Sequence, residues 1–263
     1  MSDPQITRFE PHGPADTGLV EWDRIDPATL ASGTPTQRGH IYHHDEATGL
    51  MTGVWDCTPM TGKLEPYPVN EFMFLLEGSV TIADADGGEV TINADEPFVI
   101  PKGLPCVWKQ EGYVRKFFMI FPDAGGEAPA DPAAHTVIRP RAAGPAGGLS
   151  RMDIPDPSIF LGGAPTQNVH RYFADMTGQM TVGLWDSTPF ERAVAPFPRC
   201  ELMCILEGSV TLTDGEGTAH RFGAGEATYI PMGALSGWKS TEYVRKFFAI
   251  FQPAAAASAQ AAE

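Results

Sequence analysis

The chain has 263 residues, enough for one large or two ordinary domains. A net charge of −15 at pH 7 argues against nucleic acid or an anionic membrane surface as partner, because both repel it. The N-terminus, Met1-Ser2-Asp3-Pro4-Gln5-Ile6, has no basic region followed by an apolar run, and no window reaches membrane-spanning length free of charge and Pro, so a cytoplasmic protein is expected.

Residues 1–37 are rich in Pro, Gly and Asp and form an irregular arm. Gly13-Pro14-Ala15 returns as Gly144-Pro145-Ala146, and Gly33-Thr34-Pro35-Thr36-Gln37 as Gly163-Ala164-Pro165-Thr166-Gln167. Short runs of β-branched and aromatic residues follow, broken by Gly, Pro and Asp. They predict strands at His40–His43, Met51–Asp56, Glu71–Leu76, Ser79–Ala83, Glu89–Ile92, Pro97–Ile100, Cys106–Lys109 and Val114–Phe121. The Ala, Pro and Gly of 122–134 read as a linker. The pattern then starts again, with strands near His170–Phe173, Thr181–Asp186, Glu201–Leu206, Ser209–Thr213, Ala219–Phe222, Ala227–Ile230, Gly237–Ser240 and Val244–Phe251. The Ala-rich stretch 253–263 reads as a disordered tail.

The two halves are copies. Laying Trp55–Phe121 over Trp185–Phe251 at a constant offset of 130 residues needs no gap and gives 31 identities in 67 positions. This divides the chain into an N-terminal domain with its arm (1–121), the linker (122–134), a C-terminal domain (135–252) and the tail (253–263). Many short strands without a helical period predict an all-β fold, an antiparallel barrel or jelly roll in each half.

The four cysteines, Cys57, Cys106, Cys200 and Cys204, form no C-x-x-C pair and do not correspond between the copies, so neither disulfides nor a thiolate zinc site is expected. Cys200 and Cys204 fall on one side of a strand and read as buried small apolar residues. No G-x-G-x-x-G, phosphate-binding lysine loop or G-x-S-x-G elbow is present.

Glu71-x6-Gly78 followed by Pro101-x-Gly103, and Glu201-x6-Gly208 followed by Gly225-x5-Pro231-x-Gly233, resemble the two consensus segments of cupins. The P-x-G-x4-W ending before Val-Arg-Lys-Phe-Phe resembles more closely the subgroup that includes the ethanolamine-utilisation cupin and ureidoglycine aminohydrolase. The resemblance implies two tandem cupin jelly-roll barrels, a bicupin. It also implies that the halves pack as a single-domain cupin dimer does, with Pro4–Phe9 adding a strand to the opposite barrel, in a monomer with pseudo-dimeric halves or in a homodimer.

In cupins three His and the motif Glu bind a metal. Here the His positions hold Glu65, Tyr67 and Cys106 in the first copy, and Ala195, Phe197 and Ser236 in the second. A metal commonly needs three or four His, carboxylate or thiolate ligands. The expectation is therefore no cofactor, with a divalent metal in the N-terminal barrel on Glu65, Glu71 and Cys106 with Tyr67 as the alternative.

Strand alternation puts Glu71, Met73 and Leu75 on one face and Cys106 with Trp108 on another. If those faces look inward, as the resemblance implies, Glu65, Tyr67, Glu71, Cys106, Trp108 and Trp55 line an aromatic-walled cup suited to a small organic ligand. The corresponding second-copy residues are Trp185, Glu201, Ser236 and Trp238. A half-buried Glu71 without a metal is a candidate general acid or base; the structural alternative is that Glu71 and Glu201 are hydrogen-bonded to strand neighbours. Trp55-Asp56 with Arg115-Lys116, repeated as Trp185-Asp186 with Arg245-Lys246, suggests a structural ion pair such as Asp56 with Lys116, or anion recognition by Arg115 or Lys116. His40 and His170, each two residues before a Tyr, read as hydrogen-bonded strand-edge residues.

The leading functional reading is a small-molecule-binding bicupin lacking the usual His ligands, with general acid/base catalysis through Glu71 in the N-terminal barrel and a mainly structural second copy. The alternatives are a metal-dependent enzyme acting on a small nitrogen-containing or carboxylate metabolite, and a non-catalytic binding or scaffold protein.

Overall fold

In the computed structural model, which describes residues 4–123, 136–154 and 156–254, strands form at the predicted places in both copies. Pro97–Ile100, Val114–Phe121, Ala227–Ile230 and Val244–Phe251 match residue for residue, and most others run one to three residues further. The helical structure among the described residues is two short 3-10 turns, Pro27–Thr29 and Pro157–Ile159. Each has Pro in its first turn and an Asp cap whose side chain accepts from the backbone two residues on. Additional strands at Met60–Gly62, Glu65–Pro66 and Phe190–Pro196 were not legible, because their sequences carry no apolar alternation.

Each copy folds as two facing antiparallel sheets. In the first, one sheet orders Pro97–Ile100, Asn70–Glu77, Val114–Phe121, Leu50–Cys57, Gln37–Asp45 and Val20–Glu21. The other orders Glu89–Asn93, Ser79–Asp84, Pro105–Gln110, Met60–Gly62 and Leu30–Ser32. The second copy repeats this, its smaller sheet running Phe160–Leu161, Phe190–Pro196, Leu235–Ser240, Ser209–Asp214 and Ala219–Gly223. Between the sheets lie two separate cores of the same plan, built on Trp55, Met73, Ile82 and Phe118 in one and Trp185, Met203, Leu212 and Phe248 in the other.

The chain divides into two compact units, Arg8–Ala146 and Gly147 onward together with residues up to Thr7. Both ends of the arms therefore depart from the expected domain limits. Thr7 belongs with the C-terminal barrel, where Thr228 Oγ1 donates to its carbonyl at 3.0 Å. Ile138 belongs with the N-terminal barrel, exchanging two backbone hydrogen bonds with Val99. The expected linker from residue 124 to 134 and the expected tail from residue 255 lie outside the described residues.

The motif glycine has a steric reason. Gly78 (φ 82°) and Gly208 (φ 72°) adopt left-handed backbone, and a Cβ on either comes within 2.0 Å of the Tyr113 or Tyr243 carbonyl oxygen. The Pro-x-Gly turn fixes the rim of each cup. Tyr67 N–H donates to Leu104 O while Gly103 N–H donates to Tyr67 O, and Phe197 makes the same pair with Ala234 and Gly233.

Candidate functional site

Strand alternation turns Lys116 into the first barrel and Arg115 to the other face. Lys116 Nζ lies 2.6 Å from Glu71 Oε1 and 3.0 Å from Met73 Sδ. The same ammonium lies 4.9 Å from the Trp55 ring centre and 5.1 Å from that of Trp108. Glu71 is 4% exposed, and its second oxygen accepts from the Tyr67 hydroxyl. Burial first, and then the Glu71 charge, push the Tyr67 phenol well above its ordinary range, so it stays a donor.

The expected Asp56–Lys116 pair is not formed. Asp56 instead accepts from Arg38 (Nε 3.0 Å, Nη2 2.8 Å) and from the Tyr113 hydroxyl at 2.6 Å. The cause is register: Arg115, not Lys116, lies opposite Asp56, so Arg115 shares its face while Lys116 points the other way. His40 and His170 lie edge-on to Tyr42 and Tyr172.

Of the residues expected in the first cup, Trp55, Tyr67, Glu71, Cys106 and Trp108 are brought together in or against the core. Glu65 is not. It belongs to the two-residue rim strand Glu65–Pro66, opposite Cys106, and its side chain is exposed. Trp22 closes the interior further: it packs edge-on to Phe118 and lies across Gly39, where a Cβ would come within 2.3 Å of the Trp22 ring.

The second barrel repeats the buried pair with different neighbours. Lys246 Nζ lies 2.7 Å from Glu201 Oε1 and 2.8 Å from Met203 Sδ, between Trp185 and Trp238 at 4.9 and 5.0 Å. Phe197 replaces Tyr67 and brings no hydroxyl, so Glu201 Oε2 is taken by Arg199, whose Nε and Nη2 both stand 3.0 Å away. Met152 replaces Trp22, and Val169 replaces Gly39. A cavity of about 440 Å³ results, walled by Phe160, Phe190, Phe197 and Trp238, with Glu201 and Lys246 in its lining. Ser236 is fully buried, donates to the neighbouring Gly237 carbonyl at 3.3 Å and is not part of this lining.

The electrostatics of this cavity are lopsided. Arg171, Arg192, Arg199 and Lys246 line it against one carboxylate, Glu201, among the described residues. Burial alone would raise Glu201, but Lys246 and Arg199 outweigh it and hold the carboxyl down at about 2. Lys246 is drawn below the ordinary ammonium range by burial, to which Arg199 and Arg192 add, against the pull of Glu201. Arg192 is lowered chiefly by burial, with a further contribution from Arg199.

Comparison with known proteins places this geometry in a family. The family described as "EutQ-like cupin domain" matches residues 45–118 and again 174–248, more than half of the chain and once per barrel. The chain belongs to the EutQ-like cupin family. No curated protein matches it. A protein of unknown function from Pseudomonas syringae pv. tomato is similar over 94% of this chain and 100% of its own, at 26% identity and a TM-score of 0.77. Protein Ylba from E. coli shares the fold at 10% identity and a TM-score of 0.57, over 97% of this chain and 94% of its own. A putative glyoxylate induced protein from Pseudomonas aeruginosa shares it at 15% identity and a TM-score of 0.51, over 95% and 96%.

The metal that the cupin resemblance implies does not fit the residues of this cupin. In the C-terminal barrel both oxygens of Glu201 are already bonded to cationic side chains, and Ala195, Phe197 and Ser236 supply no collar. In the N-terminal barrel Glu71 is bonded to Lys116 and Tyr67 and Glu65 is exposed on the rim strand, so the expected ligand set does not converge. No cluster of three or more His, Cys, Asp or Glu side chains able to hold a metal ion occurs among the described residues. The lysine ammonium is the cation that the motif Glu holds in each barrel.

Arg192 and Arg199 of this cupin escaped the sequence reading. Both sit on or beside the unrecognised strand Phe190–Pro196, off the motif positions. The signal that finds them is internal: Arg192 and Arg199 stand where the first copy has Gly62 and Val69.

Proposed function

We propose that this EutQ-like cupin is a small-molecule-binding protein that works without the usual His-held metal. In this reading its ligand site is the C-terminal barrel, and the N-terminal barrel is a filled structural partner. The observation that carries it is the cavity of about 440 Å³ between Phe160, Phe190, Phe197 and Trp238, with charged groups set among apolar walls. Ligand sites typically occupy roughly 300–1,000 Å³ and combine apolar walls with a few fixed polar groups. Acid/base work by the motif Glu is not favoured in this barrel. With its carboxyl held at about 2, Glu201 stays ionised at neutral pH and acts as a fixed charge.

The five tryptophans divide cleanly for a test: Trp22, Trp55 and Trp108 belong to the first barrel, Trp185 and Trp238 to the second. Protein labelled with 5-fluorotryptophan is titrated with a low-molecular-weight cell extract and followed by 19F NMR, each resonance assigned by Trp→Phe substitution. Shifts at Trp185 and Trp238 are expected. Shifts confined to Trp22, Trp55 and Trp108, or none, overturn the reading.

A further inference from the structure

Resting on the C-terminal barrel as the ligand site, the geometry points to a specific ligand class: we propose that the cavity takes an aromatic carboxylate, its anionic end on Arg192 and Arg199 and its flat body against the ring wall.

The cations come first. Arg192 lies opposite Trp238 in the strand register, which puts it on the inner face, just before an irregularity in the pairing between Arg192 and Ala195. Such irregularities re-aim side chains. Its Nε is buried without a hydrogen-bond partner, and no carboxylate is salt-bridged to it among the described residues. Arg199 is already engaged with Glu201 and is about one-third exposed. The two guanidinium groups flank the same ring, 5.7 and 5.8 Å from the centre of Phe197. The Arg199 charge helps draw Arg192 below its ordinary range, and an anion entering beside them offsets that repulsion. The planar fork of Arg matches the two oxygens of a carboxylate.

The body is set by the walls. Phe190 is stacked on Trp238, 5.3 Å between centres and 1° from parallel, and meets Phe160 and Trp185 edge-on. Offset and edge-on packing suits a flat ring and gives an inorganic anion nothing to pack against. The first copy keeps the Glu–Lys–Trp–Trp arrangement but has Gly62 and Val69 for the two arginines. Arg192 is therefore not needed to build the barrel, whereas Arg199 takes over the second oxygen of Glu201, the one that Tyr67 holds on Glu71 in the first copy.

Benzoate and its neutral isostere benzamide are the probes, titrated into the whole fluorotryptophan-labelled protein, with R192Q and R199Q as variants. Benzoate is expected to shift Trp185 and Trp238 and to bind at least tenfold tighter than benzamide. Each variant is expected to lose tenfold or more for benzoate with no such loss for benzamide. R192K, which keeps the charge but removes the fork, is expected to weaken benzoate several-fold and covers the case that R192Q does not fold. Equal binding of benzoate and benzamide at Trp185 and Trp238, or unchanged benzoate affinity in the variants, overturns the carboxylate assignment while leaving the cavity as the ligand site. No benzoate response at Trp185 and Trp238 also overturns it. A response confined to Trp22, Trp55 and Trp108 overturns both.

Discussion

Lys246 Nζ and Glu201 Oε1 meet 2.7 Å apart at the centre of the C-terminal barrel, both side chains almost wholly out of water. Lys116 and Glu71 make the same contact in the N-terminal barrel at 2.6 Å. Two buried charges cost several kcal/mol each to desolvate and are tolerated only when paired and further hydrogen-bonded. Arg199 and Tyr67 supply that further bond in the two barrels by different chemistry, and the difference is what makes the second barrel electropositive.

The pairing sets an acid limit on stability. Glu201 moves from an ordinary 4.5 down to about 2, so its contribution is present in full above pH about 4.5 and is lost as the pH falls from there through about 2. The shift corresponds to about 3 kcal/mol. Urea unfolding followed by tryptophan fluorescence is expected to show E201Q destabilised by about 3–5 kcal/mol at neutral pH, since Lys246 is left buried and unpaired. The variant should also lose less stability than the wild type between neutral and strongly acid pH. An unchanged acid slope counts against the pair as a source of stability.

The plug in the first barrel is testable by borrowing from the second. Gly39 and Trp22 correspond to Val169 and Met152, and a Cβ at 39 comes within 2.3 Å of the Trp22 ring. Gly39→Val alone is expected to cost about 1–3 kcal/mol through overpacking. In the Trp22→Met background the same change should cost clearly less, which a double-mutant cycle measures as a coupling of at least about 0.5 kcal/mol. Additive effects would show that Trp22 does not hold its place against Gly39.

All four thiols should be silent in the native protein. Cys57, Cys106, Cys200 and Cys204 are free and buried, and burial raises Cys57 and Cys106 to about 11 and Cys204 to about 12. Only the thiolate reacts, so Ellman's reagent at mildly alkaline pH is expected to find no fast thiol until the protein is unfolded, when four react. A fast native thiol would place one of the four at the surface.

Much of the architecture was open to reading in one dimension. The duplication and the strand positions in both copies follow from the 130-residue offset, the period of two and the turn glycines, which act between neighbours along the chain, while the inward face of Glu71 and Glu201 was implied by the cupin resemblance. Pairing across strands was not legible in the same way: Asp56 finds Arg38 and Tyr113, because register alone decides which of two adjacent basic residues shares its face. Tertiary structure also decided that the second barrel holds a cavity. An internal volume is what remains after side chains from distant strands have packed, and here it turns on Trp22 against Gly39 in one copy and Met152 with Phe197 in the other. No local pattern encodes that difference in packed volume, whereas the alternation that builds the walls is written into every strand.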